Sequence, residues 1–131
     1  LSKNRKSCLA ACEIAVKVMS KIENIITPFP GGVVRSGSKV GSKYKALIAS
    51  TNDAYCPSLK GITNSQLDKS VNSVMEIVIN GLTKEDIDKA IRESIIAISK
   101  SPYKKDILSV SAGNYGGKLG QYHFHLRKIL K

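Results

Sequence analysis

Two apolar stripes with the spacing of an α-helix constrain the fold of this 131-residue chain more than any other feature. The first predicted helix covers residues 5–22. Its apolar residues recur from Cys8 to Met19, with charged side chains between them. The second follows Thr83, and its apolar residues recur at three- and four-residue spacing as far as Ile98. Such spacing places apolar side chains on one face of a helix. Thr83, with an acidic residue three positions later, also resembles a capping box. The sequence therefore predicts two amphipathic helices.

Runs with the character of β-strands lie between and after the two helices. They are apolar or alternate apolar with polar positions, and they cover residues 32–36, 44–50, 73–81, 106–113 and 121–127. Residues 51–70 are mostly turn formers, which is long for an idle connection and marks a candidate functional loop. The order of elements predicts an α+β fold: a ferredoxin-like split βαβ sandwich, with an antiparallel sheet and two helices on one face.

A strand normally precedes the first helix of such a sandwich, and the sequence predicts none here. We therefore expect residues 1–131 to form a single ferredoxin-like lobe. Its first strand is expected upstream in a longer parent, or on another chain that supplies an equivalent edge. The chain opens with Leu1 and an amphipathic pattern instead of a signal peptide, so its start is expected to be internal or processed.

The balance of charge favours anionic partners, because 21 basic residues against 10 acidic ones give a net charge of +11. The lysines form no long run and carry no RNA-binding aromatic motif, so nucleic-acid binding is not expected. No apolar run approaches the roughly 20 residues that cross a bilayer, so membrane association is not expected either. Cys8, Cys12 and Cys56 contain no Cys-x-x-Cys pair; we expect reduced thiols that pack inside a cytoplasmic protein.

Glu76 is the carboxylate with the strongest case for chemistry, because it interrupts an apolar strand where an unpaired ionised carboxylate is costly. Strand alternation offers the simpler alternative, in which the side chain meets solvent or a lysine. The functional alternative is a carboxyl that donates and accepts protons. Asp53 is the weaker candidate, since Asn-Asp is ordinary turn chemistry. His123 and His125 share a face of the last predicted strand, yet no nearby Cys, Asp or Glu completes a metal site, and none is expected.

Five separate motifs occur in the order that one enzyme family shows. They are "PFPGGVV", "SKVGSKY", "ASTNDAYCP", "EIVINGL" and "SAGNYGGKLGQY", the last followed one residue later by "FHL". Together they span most of residues 28–126. On these motifs the chain resembles the C-terminal (distal) lobe of formylmethanofuran:tetrahydromethanopterin formyltransferase.

The resemblance implies an enzyme of one-carbon metabolism and methanogenesis that moves a formyl group from the amine of formylmethanofuran to N5 of tetrahydromethanopterin. It implies no metal and no prosthetic group, the two coenzymes being substrates. Members of the family resemble two ferredoxin-like lobes joined in one chain. They form homotetramers that bind both coenzymes at subunit contacts. Since this chain resembles one lobe, its expected partners are the anionic coenzymes, further copies of itself, or a separate chain carrying the N-terminal lobe.

The resemblance also implies roles for residues inside the matching motifs. It favours Glu76 as the group that transfers protons between the two amines. The residues expected to bind the coenzymes are Asn52, Asp53, Lys39, Lys43, Asn114, Tyr115, Gly116, Gly117, Lys118 and Gln121. A second hypothesis stays open beside the enzyme: a non-catalytic binding or assembly module that keeps the fold and the subunit contacts.

Overall fold

The computed structural model describes residues 1–36, 52–114 and 121–131. Within these ranges, none of the helices is both long enough and apolar enough to cross a membrane. The elements in chain order are α1 (Arg5–Met19), β1 (Ile25–Ile26), β2 (Val34–Arg35), β3 (Met75–Glu76), β4 (Asn80–Gly81), α2 (Lys84–Ser99) and α3 (Leu126–Ile129).

Helix α1 confirms the first predicted helix and is held at its start by Asn4. The side-chain oxygen of Asn4 accepts a hydrogen bond from the main-chain nitrogen of Ser7 at 2.8 Å, which satisfies one of the free donors of the first turn. The helix ends at Met19, three residues earlier than predicted. Ile22, beyond the end of the helix, is still buried, but it lies in a turn and not in the helix.

Helix α2 confirms the second predicted helix together with its cap. The Thr83 hydroxyl accepts from the main-chain nitrogen of Asp86 at 3.1 Å and donates to the carboxylate of the same residue at 2.8 Å. Helix α2 packs on α1 through small residues. Ala90 is fully buried, and the hydroxyl of Ser94 donates to the main-chain oxygen of Ala15 at 3.3 Å. The small side chains let the two helices approach closely.

The predicted strand at 73–81 is present as two short strands with different partners. Strand β3 pairs with β2 in antiparallel register, with Val34 opposite Glu76. Strand β4 pairs with β1, also antiparallel, with Ile25 opposite Gly81. The continuous apolar run therefore pairs with two different strands, with β2 before residues 77–79 and with β1 after them. Antiparallel pairing confirms that part of the prediction.

Ser2 lies in extended chain between two other segments. It forms isolated antiparallel bridges with Ser73 on one side and Ile107 on the other. The sequence predicts no strand before α1, and the structure has this bridge rather than a strand there. The predicted strand at 106–113 is reduced to this bridge and to main-chain hydrogen bonds from Leu108 and Ser109 to the oxygen of Leu1, at 3.0 and 3.4 Å. The prediction is wrong for residues 110–113, which are irregular.

The strand predicted at 121–127 is also wrong, since residues 122–125 are irregular and α3 follows them. A few alternating residues make a strand only when a neighbouring strand pairs with them. Here Ile129 instead packs α3 against α2 and is buried. The strand predicted at 44–50 lies outside the described residues.

The helices cover one side of the β3–β4 run. Ile77 and Ile79 pack against the core cluster of Ala15, Met19, Ile22, Ile25 and Ala90, which α1 and α2 build with the chain between them. Successive side chains of an extended chain point to opposite faces. Glu76, the neighbour of Ile77, therefore lies on the face turned away from the helices. The predicted α+β class is confirmed, with helices on one face and a candidate site on the other.

Candidate functional site

The carboxyl of Glu76 is half-buried and held by two neutral donors. Its Oε1 atom accepts a hydrogen bond from the hydroxyl of Ser36 at 2.9 Å and another from the side-chain amide of Asn52, also at 2.9 Å. The carboxyl does not extend into bulk solvent, and no lysine pairs with it among the described residues.

Ser36 reaches Glu76 because of the β2–β3 register. Val34 is directly opposite Glu76, so Ser36, two residues further along, lies on the same face of the pair. Its main-chain nitrogen donates to the oxygen of Val74 at 3.4 Å, which continues the pairing by one step. Ser36 has no exposed surface. No signal in the sequence identifies it, since a serine at the end of a short apolar run is usually a turn residue.

Asn52 reaches Glu76 from the loop that the sequence marks as functional. The loop carries two short 3₁₀ turns, Asp53–Tyr55 and Pro57–Leu59, and Cys56 between them is fully buried. The Lys60 ammonium donates to main-chain oxygens of Asp68 at 2.8 Å and of Lys69 at 3.3 Å, and also to that of Val71. These bonds tie the far end of the loop to its middle.

Asp53 has the geometry of a turn residue. Its Oδ1 accepts from the main-chain nitrogen of Ala54 at 3.0 Å, at the start of the first 3₁₀ turn. The nearby Arg35 guanidinium donates to the hydroxyl of Ser58 at 3.1 Å instead of approaching a carboxylate. Both charged groups therefore organise the loop, and neither is recorded in contact with Glu76.

Asn114 closes a loop rather than joining Glu76. Its side chain donates to the main-chain oxygen of Phe124 at 2.8 Å and accepts from the nitrogen of the same residue at 2.9 Å. This reciprocal pair imitates one rung of a strand ladder and brings the two ends of the glycine-rich stretch together. Gln121 is exposed. The other predicted binding residues, Lys39, Lys43, Tyr115, Gly116, Gly117 and Lys118, lie outside the described residues.

No cluster of three potential metal ligands occurs in the part of the chain that the structure describes. The rings of His123 and His125 stack on each other with their centres 4.8 Å apart and their planes 12° from parallel. Cys8 and Cys56 are buried and Cys12 is half-buried, each as a free thiol. These thiols have the packing role that the sequence predicts.

The arrangement around Glu76 suits proton transfer. Both hydrogen bonds recorded for the carboxyl, within residues 1–36, 52–114 and 121–131, go to Oε1. Both of these donors, a hydroxyl and an amide, are neutral. A carboxyl that is oriented through one oxygen can exchange a proton through the other.

Comparison with known proteins identifies the family. The chain is 63% identical over 130 residues to formylmethanofuran:tetrahydromethanopterin formyltransferase of Methylobacillus flagellatus, covering 99% of this chain and 43% of that protein. A family model described as "FTR, proximal lobe" matches residues 1–129. The chain belongs to this formyltransferase family. The prediction of the distal lobe is wrong, because the matching family model describes the proximal lobe. The five motifs identify the family, but they do not distinguish a proximal from a distal lobe.

Two solved formyltransferase structures share the fold. One is the formyltransferase/hydrolase complex of Methylorubrum extorquens with methylofuran, with a TM-score of 0.86, 45% identity, and coverage of 100% of this chain and 42% of that one. The other is the formyltransferase of Methanosarcina barkeri, with a TM-score of 0.84, 45% identity, and coverage of 98% and 43%. The chain thus spans less than half the length of the relatives that it matches.

Proposed function

We propose that this chain takes part in formyl transfer from formylmethanofuran to N5 of tetrahydromethanopterin, with Glu76 as the catalytic residue. The observation that carries the proposal is the half-buried Glu76 carboxyl, oriented through Oε1 by Ser36 and Asn52, in a chain 63% identical to a protein named for that reaction. The coenzymes act as substrates, and no prosthetic group is needed.

The chemistry requires one proton to leave and another to arrive. The N5 amine attacks the formyl carbon and forms the new nitrogen–carbon bond, while the carbonyl electrons move onto oxygen. The attacking nitrogen then gives up its proton, and the old carbon–nitrogen bond breaks as the leaving amine gains one. A single carboxyl can accept the first proton and donate the second, so the step balances without any other acid or base.

The coenzyme that donates the formyl group belongs to the furan type. The related complex of M. extorquens was solved with methylofuran, whereas the M. barkeri protein is named for methanofuran. Both names support a furan-bearing donor for this chain without choosing between its variants. We propose that the expected binding residues of the sequence analysis contact the anionic parts of the coenzymes. The net charge of +11 supports this role.

We also propose the ferredoxin-like arrangement for this lobe. The described pairings order the extended segments as Ile107, Ser2, β3 and β2, with each neighbour antiparallel. That order is the one expected of a split βαβ sandwich, with residues 1–3 in the place of its first strand. The full assembly is proposed to be a cytoplasmic homotetramer. Native mass measurement checks its size, and a mass other than four subunits contradicts it.

The test of the function is Glu76→Gln in the native protein, with Glu13→Gln, an exposed change on α1, as the matched control. We expect the Glu76 variant to lose on the order of 100-fold in kcat for formyl transfer, which is what removal of a general acid–base costs. Its melting temperature should stay close to that of the control. If Glu76→Gln keeps full activity, the catalytic assignment fails. If neither the parent nor the variant transfers formyl groups, the proposed activity fails and the alternative of a binding or assembly module is favoured.

A further inference from the structure

We propose that Ser36 is a positioning residue for Glu76, and that together with Asn52 it assigns different tasks to the two carboxyl oxygens. Oε1 is the anchored oxygen, and Oε2 is the oxygen that exchanges the proton. This inference rests on the proposed function of Glu76 and adds two things to it: a residue that the motifs do not contain, and a choice between the two oxygens.

The position of the Ser36 hydroxyl carries the argument. The hydroxyl lies between two acceptors, Glu76 Oε1 at 2.9 Å and the main-chain oxygen of Asn52 at 3.3 Å. A hydroxyl has one hydrogen, so it donates to one of these acceptors at a time. Asn52 therefore contributes twice: its side chain donates to Oε1, and its main chain offers the serine a second acceptor.

Two acceptors allow Ser36 to follow the charge of Glu76. When the carboxyl is ionised, the hydroxyl donates to Oε1, because hydrogen bonds to charged acceptors are the stronger ones. When Oε2 takes up a proton, Oε1 becomes a weaker, carbonyl-like acceptor and the hydroxyl can turn to the Asn52 oxygen. Ser36 has no exposed surface, so an unpaired hydroxyl there would be costly. The second acceptor removes that cost in the protonated state.

The two charged side chains beside the site that the structure describes have other partners. Arg35, the neighbour of Ser36, donates to Ser58, and the Asp53 carboxylate accepts from its own turn. Both donors to Glu76 among the described residues are neutral. Neutral donors fix the orientation and still permit the proton to come and go.

The test compares Ser36→Ala with Ser94→Ala in the native protein. Both changes remove a buried hydroxyl that donates a hydrogen bond to an oxygen. Ser94, however, lies between the helices and donates to the main-chain oxygen of Ala15. We expect Ser36→Ala to lower kcat about tenfold with KM unchanged, the usual scale for one hydrogen bond to a charged group. Its acidic limb of the pH–rate profile should move to higher pH. Ser94→Ala should lower the melting temperature and leave the profile unchanged.

A double variant shows whether Ser36 acts through Glu76. In a Glu76→Gln background, we expect Ser36→Ala to cause no further loss of kcat. Ser36→Thr, which keeps a hydroxyl, should restore the parental pH profile and serves in place of alanine if that variant does not fold. Equal losses in both backgrounds, or a profile like that of Ser94→Ala, overturn the role of Ser36. An active Glu76→Gln variant instead overturns the proposed function, so the two failures are distinct.

Discussion

Gly32→Ala should destabilise the fold more than the same change at its neighbour Gly31. Both glycines have left-handed backbone angles, φ +67° at Gly31 and +73° at Gly32. Their surroundings differ. A Cβ atom on Gly32 would lie 2.7 and 2.8 Å from the two methyl carbons of Val16 and 2.9 Å from the hydroxyl of Thr27. A Cβ atom on Gly31 would meet nothing within 4 Å. The pair therefore separates backbone strain from steric overlap.

The expected costs follow from these two terms. A left-handed conformation costs an L-residue about 1–2 kcal/mol, and Gly31→Ala should lose that amount and no more. Overpacking at the buried Gly32, against the half-buried side chain of Val16, adds about 1–3 kcal/mol. The methyl carbons of Val16 are attached directly to its Cβ, and that side chain is stiff in a helix, so they cannot swing aside. Gly32→Ala should therefore lose about 2–5 kcal/mol in the free energy of unfolding.

Urea unfolding of the two variants and the parent measures both costs. The comparison is valid when the slope of free energy against urea is the same in all three proteins. Val16→Ala in the Gly32→Ala background should recover part of the loss, because it removes both methyl carbons that the new Cβ meets. Equal losses for Gly31→Ala and Gly32→Ala would refute the reasoning, since the overlap would then contribute nothing.

Three other predictions concern the elements around the site. Hydrogen bonds from Ser7 and Asn4 lower the pKa of Asp106. The carboxylate therefore stabilises the fold above the ordinary carboxyl pKa, and this contribution disappears as the pH falls through the lowered value. Asp106→Asn should thus reduce the melting temperature at neutral pH and match the parent in strong acid; a constant difference contradicts this. Lys60→Met should speed amide exchange in the loop after residue 60, measured by mass spectrometry, with little change in global melting. Thr83→Ala should cost about 1 kcal/mol in urea unfolding, as loss of a helix cap does.

The helices were predictable because their signals are local. An apolar stripe and a cap lie within a few residues of each other, and both act on the element that contains them. Thr83 illustrates this, since the structure confirms both its cap and the helix that follows. The end of α1 was less predictable. The apolar pattern extends to Ile22, but nothing local distinguishes a helical residue from a buried turn residue there.

The strands were less predictable because pairing depends on distant residues. The alternation in residues 121–127 satisfies the pattern of a strand, yet residues 122–125 are irregular and α3 follows them. The run at 73–81 has one continuous apolar pattern but two partners. Ser2 pairs on both sides although its local sequence carries no strand signal. Such contacts are determined by the fold as a whole.

Some residues of the candidate site were predictable from local sequence, and others were not. Glu76 was predictable, because a carboxylate within branched aliphatics is unusual enough to be noticed and the motif around it is specific to the family. Asn52 was expected to bind a coenzyme, which stays a prediction, and its contact with Glu76 was not foreseen. Ser36 was missed because only the β2–β3 register brings it to the carboxyl. The residues next to Ser36 in the sequence do not determine the register between β2 and β3.

The two faces of the β3–β4 run explain how a carboxylate is accommodated there. Ile77 and Ile79 belong to the helix-covered core, so neither position tolerates a charge. Glu76 lies on the opposite face, where the donors come from Ser36 and from Asn52 at the start of the loop. One of the two donors to the carboxyl therefore comes from a loop and the other from the strand pair. The Lys60 ammonium binds the far end of that loop to its middle, and this helps to fix the loop that carries Asn52.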